Sequence, residues 1–79
     1  MIKNKKILVV GAGGFIGGHL VNRLLKEGNF VVASDIKPKE YWFQLFDEVE
    51  NHSLDLKEID NCLKVSRSVD FIYNMACNM

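Results

Sequence analysis

Cysteine, proline and tryptophan are scarce in this chain, and net charge is absent. Two cysteines, Cys62 and Cys77, stand among 79 residues. Two are too few for a disulfide framework, and neither sits in the paired spacing of a zinc site. Free thiols in a reducing cytosol are the expectation, which places the protein in the cytoplasm. Ten lysines and arginines cancel ten aspartates and glutamates. A neutral chain lacks the footprint for nucleic acid or an anionic membrane, although Lys3, Lys5 and Lys6 make a small basic start. No apolar run approaches the ~18 residues of a membrane span. The run Ile7-Leu8-Val9-Val10 gives way at once to glycines, which is not the pattern of a signal peptide. Repeats and low-complexity stretches are missing as well. What remains is a 48% apolar chain that is too rich in core formers to be disordered. It is also short, so a domain of this size buries only ~60% of its unfolded surface.

The apolar residues are organised. Lys6 to Val10 is a near-continuous, β-branched run that suits a strand covered on both faces. Phe15 to Glu27 reads as a helix, with Ile16, Leu20 and Leu24 on one face beside Val21 and Leu25. Gly28 is placed as its left-handed stop. Phe30 to Ser34 is a second buried strand ending at Asp35. Residues 36–47 contain Pro38 and the aromatic cluster Tyr41-Trp42-Phe43 with Phe46, and read as a loop with one or two helical turns. Those rings are expected in a core or interface rather than against a cofactor. Val49 to Leu54 is a third strand whose Asn51, His52 and Ser53 suggest an edge, with His52 outward. Asp55 and Glu58 have the spacing of a capping box for a helix over 55–66, carrying Leu56, Ile59, Cys62 and Leu63 on one stripe. Val69 to Asn74 is a fourth strand. Alternation of this kind predicts an α/β fold, a partial Rossmann sheet of parallel strands ordered 3-2-1-4, with helices on both faces.

Between the first strand and the first helix, Gly11, Gly14 and Gly17 are spaced G-x-x-G-x-x-G. In that context each glycine has a task. Gly11 allows the sharp exit from the strand, Gly14 lets a pyrophosphate approach the backbone, and Gly17 lets the helix pack closely. The free amides near Phe15 and Ile16 then face the anion, aided by the helix dipole. The G-x-G-x-x-G spacing fails because Ile16 occupies its last glycine position. A Walker A loop fails because His19 stands where its lysine belongs. A turn without a ligand is the alternative, but five glycines cost backbone entropy that a bare turn does not require. His19 lies off the apolar stripe and reads as solvated.

Asp35 lies 18 residues after Gly17, at the end of the second strand. A carboxylate there accepts from both ribose hydroxyls of an adenosine and repels a 2′-phosphate, which favours NAD over NADP. Its alternative is to cap a turn before Pro38, and Lys37 softens the preference by offering a cation to a phosphate. Asp55 either caps the helix after it or accepts from the adenine amino group.

The run from Val9 through Leu20, Val-Val-Gly-Ala-Gly-Gly-Phe-Ile-Gly-Gly-His-Leu, resembles the fingerprint of the extended short-chain dehydrogenase/reductase family. These are the NAD-dependent nucleotide-sugar epimerases and dehydratases. Segments 33–37, 52–56, 61–65 and 74–79 narrow the resemblance to its 3,5-epimerase branch. The likeness covers nearly the whole chain. It implies that Gly11, Gly14, Phe15, Ile16 and Gly17 hold the NAD pyrophosphate, that Asp35 holds the ribose, that Asp55 and Leu56 contact adenine, and that Met75, Ala76 and Cys77 line the cofactor. It also implies a nucleotide-sugar substrate and a homodimeric parent. Val10 and Cys77 depart from the usual Thr and Ala. Family members are several times longer, and their Tyr-x-x-x-Lys pair lies downstream. Here Tyr41 and Tyr73 are followed at the fourth position by Leu45 and Cys77. The expectation is therefore an N-terminal NAD-binding fragment over 1–79, inactive alone, with an exposed apolar patch beside the fourth strand and a tendency to self-associate. A UDP-sugar 4-epimerase, a 4,6-dehydratase and a non-catalytic NAD(P) sensor are the other readings.

Overall fold

A computed structural model describes residues 4–55 and 58–75. The elements are β1 (Lys6–Val10), α1 (Phe15–Lys26), β2 (Phe30–Asp35), a 3₁₀ turn (Lys39–Tyr41), β3 (Glu50–Ser53), α2 (Ile59–Ser66) and β4 (Phe71–Asn74). The four strands form one parallel sheet in the order β3-β2-β1-β4, as the alternation predicts. Leu8 lies between Val32 and Ile72, and Val10 between Ser34 and Asn74. Among the described residues no helix is long and apolar enough to cross a membrane.

Strand periodicity sends alternate residues to opposite faces. Ile7 and Val9 of β1 join Val31 and Ala33 of β2 against Val21 and Leu24 of α1. Leu8 and Val32 turn to the other face and meet Val65 of α2. Both central strands are thus covered on both sides, which is why they read as unbroken apolar runs. Each fully buried Val or Ile stabilises the fold by roughly 1.5–3 kcal/mol relative to exposure. β3 is an edge strand, and its polar sequence keeps that edge from inviting another strand.

Helix α1 stops where the sequence says it should. Arg23 and Lys26 stand in the last turn, where the dipole favours cations. Gly28 takes φ 91°, and its amide donates to the Leu25 carbonyl at 3.0 Å. The Asn29 side chain then donates to Leu24 O and accepts from the Lys5 amide, which fastens the helix end to the start of β1. Gly28→Ala is expected to cost about 1–2 kcal/mol, because a Cβ disfavours the left-handed region. Urea unfolding followed by circular dichroism measures it, and an unchanged midpoint would contradict this account of the stop.

Four expectations need correction. The helix over 55–66 starts later, at Ile59, with Glu58 as its N-cap and no side-chain cap. The Asp55 carbonyl instead accepts the Glu58 amide and the Asn61 side-chain amide. Leu63 and Cys62 are exposed, and Val65 of α2 packs into the core. Ile16 is exposed rather than on the buried stripe of α1. Gly17 in the first turn of α1 lies against Gly11 and Ala12, past the end of β1. His52 does not point freely outward: its side chain is 16% exposed, with Nε2 2.7 Å from Glu50 Oε2. Leu56 lies outside the described residues. Phe71 and Ile72 of the fourth strand are exposed.

Candidate functional site

Parallel sheets present their ligand sites at the carboxyl ends of the strands, where loops leave for the crossover helices. Here that end gathers the glycine turn, Asp35 and Met75. The turn is tied to β2 by two bonds, the amides of Gly11 and Ala12 both donating to the Ser34 carbonyl. Met75 follows β4, and its amide donates to the Val10 carbonyl at 2.7 Å. The Leu54 amide donates to the Asp35 carbonyl, which holds the segment leading to Asp55 beside the same strand end. Ala76 and Cys77 lie outside the described residues.

The glycines separate by what surrounds them. Gly11 has φ 83°, a conformation that side chains rarely adopt. A Cβ at Gly17 would collide with the Gly11 carbonyl oxygen and press Ala12 Cα at 3.0 Å. Gly17 is therefore fixed by the close approach of α1 to the turn. Gly14 differs. Its φ of −81° suits any residue, and a Cβ there would meet only the Gly11 carbonyl oxygen, at 3.5 Å. Among the described residues no side chain requires a glycine at this position, so the open space above it fits an external group brought against the backbone.

The start of α1 fits the same reading. Gly14 is its N-cap and offers no side-chain cap, and the first turn contains no acid. Helix geometry leaves the first-turn amides without intrahelical acceptors, and here no acid within the first turn offsets the positive end of the dipole. An anion such as a pyrophosphate matches that donor set. Phe15 and Ile16 contribute backbone amides while their side chains stay exposed.

Asp35 is held by its neighbours. Oδ2 accepts the Gly13 amide at 3.0 Å and Oδ1 accepts the Lys37 amide at 3.0 Å. A carboxylate has about four acceptor positions, so two bonds leave capacity for a ribose diol. Asp35 therefore caps the turn before Pro38 and keeps further acceptor capacity. Lys37 Nζ lies 3.4 Å from the Gly13 carbonyl oxygen.

Two residues of the site carry no role in the sequence reading. Gly13 links Asp35 to the turn, and a Cβ on it would strike Trp42 Cδ1 at 2.7 Å and Asp35 Oδ2 at 2.9 Å. The signal was a glycine in excess of those that G-x-x-G-x-x-G needs. Trp42 is buried over that glycine, whereas Tyr41 and Phe43 of the same aromatic run are exposed. His19 is exposed but not merely solvated, since Phe15 packs edge-on against both His19 and Phe43 at centroid distances of 4.6 and 4.7 Å. A groove of about 490 Å³ lined by Lys6, Glu50, Asp60, Lys64 and Arg67 opens away from this turn, and its mixed charges define no ligand.

Comparisons with known proteins agree with this geometry. The chain is 46% identical over 74 residues to GDP-mannose 3,5-epimerase 1 of Oryza sativa subsp. indica; the match takes in 94% of this chain and 20% of that protein. The chain thus spans about a fifth of the length of that relative. Among solved structures, the epimerase Mth375 of Methanothermobacter thermautotrophicus superposes with a TM-score of 0.84 at 22% identity, over 98% of this chain and 24% of that one. A short-chain dehydrogenase/reductase superfamily protein of Agrobacterium tumefaciens, solved with bound NAD, gives 0.76 at 22% identity, over 94% and 21%. These two likenesses establish the Rossmann-type fold. The model of the NAD dependent epimerase/dehydratase family matches residues 7–78, nearly the whole chain, and the chain belongs to that family.

Proposed function

We propose that this chain forms the adenosine- and pyrophosphate-binding part of an NAD site in a nucleotide-sugar epimerase of the GDP-mannose 3,5-epimerase kind. The observation that carries this reading is Gly14, a glycine that no described neighbour requires, set at an uncapped helix start beside a fastened carboxylate. The amides of Phe15 and Ile16 hold the pyrophosphate, Asp35 the ribose, and Asp55 with Leu56 the adenine. Met75, Ala76 and Cys77 line the far side.

When bound, NAD supplies reversible hydride acceptance at the sugar's C4, which acidifies the C3 and C5 hydrogens for inversion. This chain's residues bind and orient. Neither of its tyrosines has a lysine four positions on, so the chain alone is expected to turn over no sugar. The parent works in the cytoplasm as a homodimer on a nucleotide sugar, without nucleic acid or membrane. The exposure of Phe71 and Ile72 on the edge strand β4 supports self-association of the isolated chain.

Titration calorimetry with NAD and NADP tests the reading. NAD is expected to bind at least about tenfold more tightly, since tenfold corresponds to ~1.4 kcal/mol, within the worth of one charge-assisted hydrogen bond. A folded chain that binds neither dinucleotide would overturn it.

A further inference from the structure

The loop after β2 is fastened to the glycine turn by a closed circuit of hydrogen bonds. The Gly13 amide donates to Asp35 Oδ2, and the Lys37 amide donates to Asp35 Oδ1. Trp42 Nε1 donates to the Lys37 carbonyl at 2.9 Å. The next residue closes the ring, the Phe43 amide donating to the Gly13 carbonyl at 2.8 Å. Inside the circuit the indole lies directly on Gly13, where an added Cβ would be within 2.9 Å of both the indole and the Asp35 carboxylate. Trp42 is 8% exposed, so this contact is dry and the N–H has been taken from water to make its bond.

A circuit of this kind fixes distances. The turn that faces the pyrophosphate and the carboxylate that faces the ribose belong to different elements, α1's entry and β2's end. Their separation is set by what spans them, and Trp42 is the largest and most buried spanning group. We propose that Trp42 is a positioning residue for the dinucleotide site: acting through Lys37 and Gly13, it holds Asp35 and the glycine turn in binding register before the cofactor arrives. The ordering is then done at folding and is not charged against binding. This inference rests on the NAD reading above. Trp42 is also the single tryptophan of the chain, so its emission reports directly on the circuit.

The test is a double-mutant cycle on NAD affinity, read by calorimetry on the full chain with Trp42→Phe, Asp35→Ala and the pair. Trp42→Phe keeps a ring on Gly13 and removes the N–H. The Lys37 carbonyl retains the Ser53 hydroxyl as a donor, so no buried acceptor is orphaned and the fold is expected to survive. Trp42→Phe is expected to weaken NAD about tenfold, the worth of one buried hydrogen bond. In the Asp35→Ala background the same substitution is expected to cost less than about twofold, because a residue that acts through Asp35 has nothing left to act on. NAD is also expected to change the Trp42 emission of the wild-type chain. Equal NAD affinity of Trp42→Phe and wild type would overturn the proposal, as would the same tenfold loss in both backgrounds, which marks a merely structural role. Both outcomes leave the NAD reading standing. A wild-type chain that does not bind NAD would remove that reading and this proposal with it.

Discussion

Replacing Asp35 with alanine is expected to erase the preference for NAD over NADP. The carboxylate accepts two backbone amides and keeps acceptor capacity for a ribose diol. Each hydrogen bond to a charged group is worth about 1.5–3 kcal/mol, so removing the acceptor is expected to weaken NAD by roughly 10- to 100-fold. NADP loses less, because its 2′-phosphate no longer meets a like charge. Lys37 Nζ, 3.4 Å from the Gly13 carbonyl, then stands near that phosphate with no carboxylate opposing it. Asp35→Asn separates the two effects: it keeps the size of the side chain and removes the repulsion. Calorimetry with both dinucleotides on all three chains measures this. A preference for NAD that survives in Asp35→Ala would contradict the assignment of the ribose to this residue.

The second large effect is a contrast between two glycines three residues apart. Gly17→Ala is expected to unfold the chain or leave it barely folded. The new Cβ meets the Gly11 carbonyl and Ala12 Cα, which are backbone atoms that cannot swing aside. Overpacking of this kind costs about 1–3 kcal/mol or more, a large share of the stability of a small domain. Gly14→Ala is expected to cost only about 1 kcal/mol, the difference between glycine and alanine at a helix N-cap. Its Cβ has 3.5 Å to its nearest neighbour and a permitted φ. The same Cβ fills the space assigned to the pyrophosphate, so NAD affinity is expected to fall by more than about 100-fold, beyond 2.7 kcal/mol. Urea unfolding and calorimetry on the two variants read both arms. A Gly14→Ala chain that binds NAD like wild type would remove the phosphate from this turn.

These effects are legible in the sequence to different degrees. The two central strands announce themselves because both faces are covered, so Ile7-Leu8-Val9-Val10 and Val31-Val32-Ala33 have no polar alternation to obscure them. α1 is bracketed by glycines at both ends. Strand order follows from the alternation of elements. The start of α2 was not legible, because a capping box is a local pattern and the Asn61 side chain competes for the Asp55 carbonyl. The exposure of Leu63 depends on what packs over α2, and spacing along one helix does not encode that. The role of Trp42 was hidden for a similar reason. In Tyr41-Trp42-Phe43 three rings stand in a row without periodicity, and only the fold decides which one turns inward. Gly11 and Gly17 were legible because their demands come from the turn itself. Gly13 was not, since its constraint comes from a side chain 29 residues away, Trp42.

The most direct test of the central claim is a map of backbone amide shifts in a ¹⁵N-labelled chain titrated with NAD. The account predicts that the largest shifts fall on residues 13–17, with Asp35 and Met75 next, all at the carboxyl end of the sheet. Shifts concentrated instead around Lys6, Glu50, Lys64 and Arg67, or none at all in a folded chain, would contradict it.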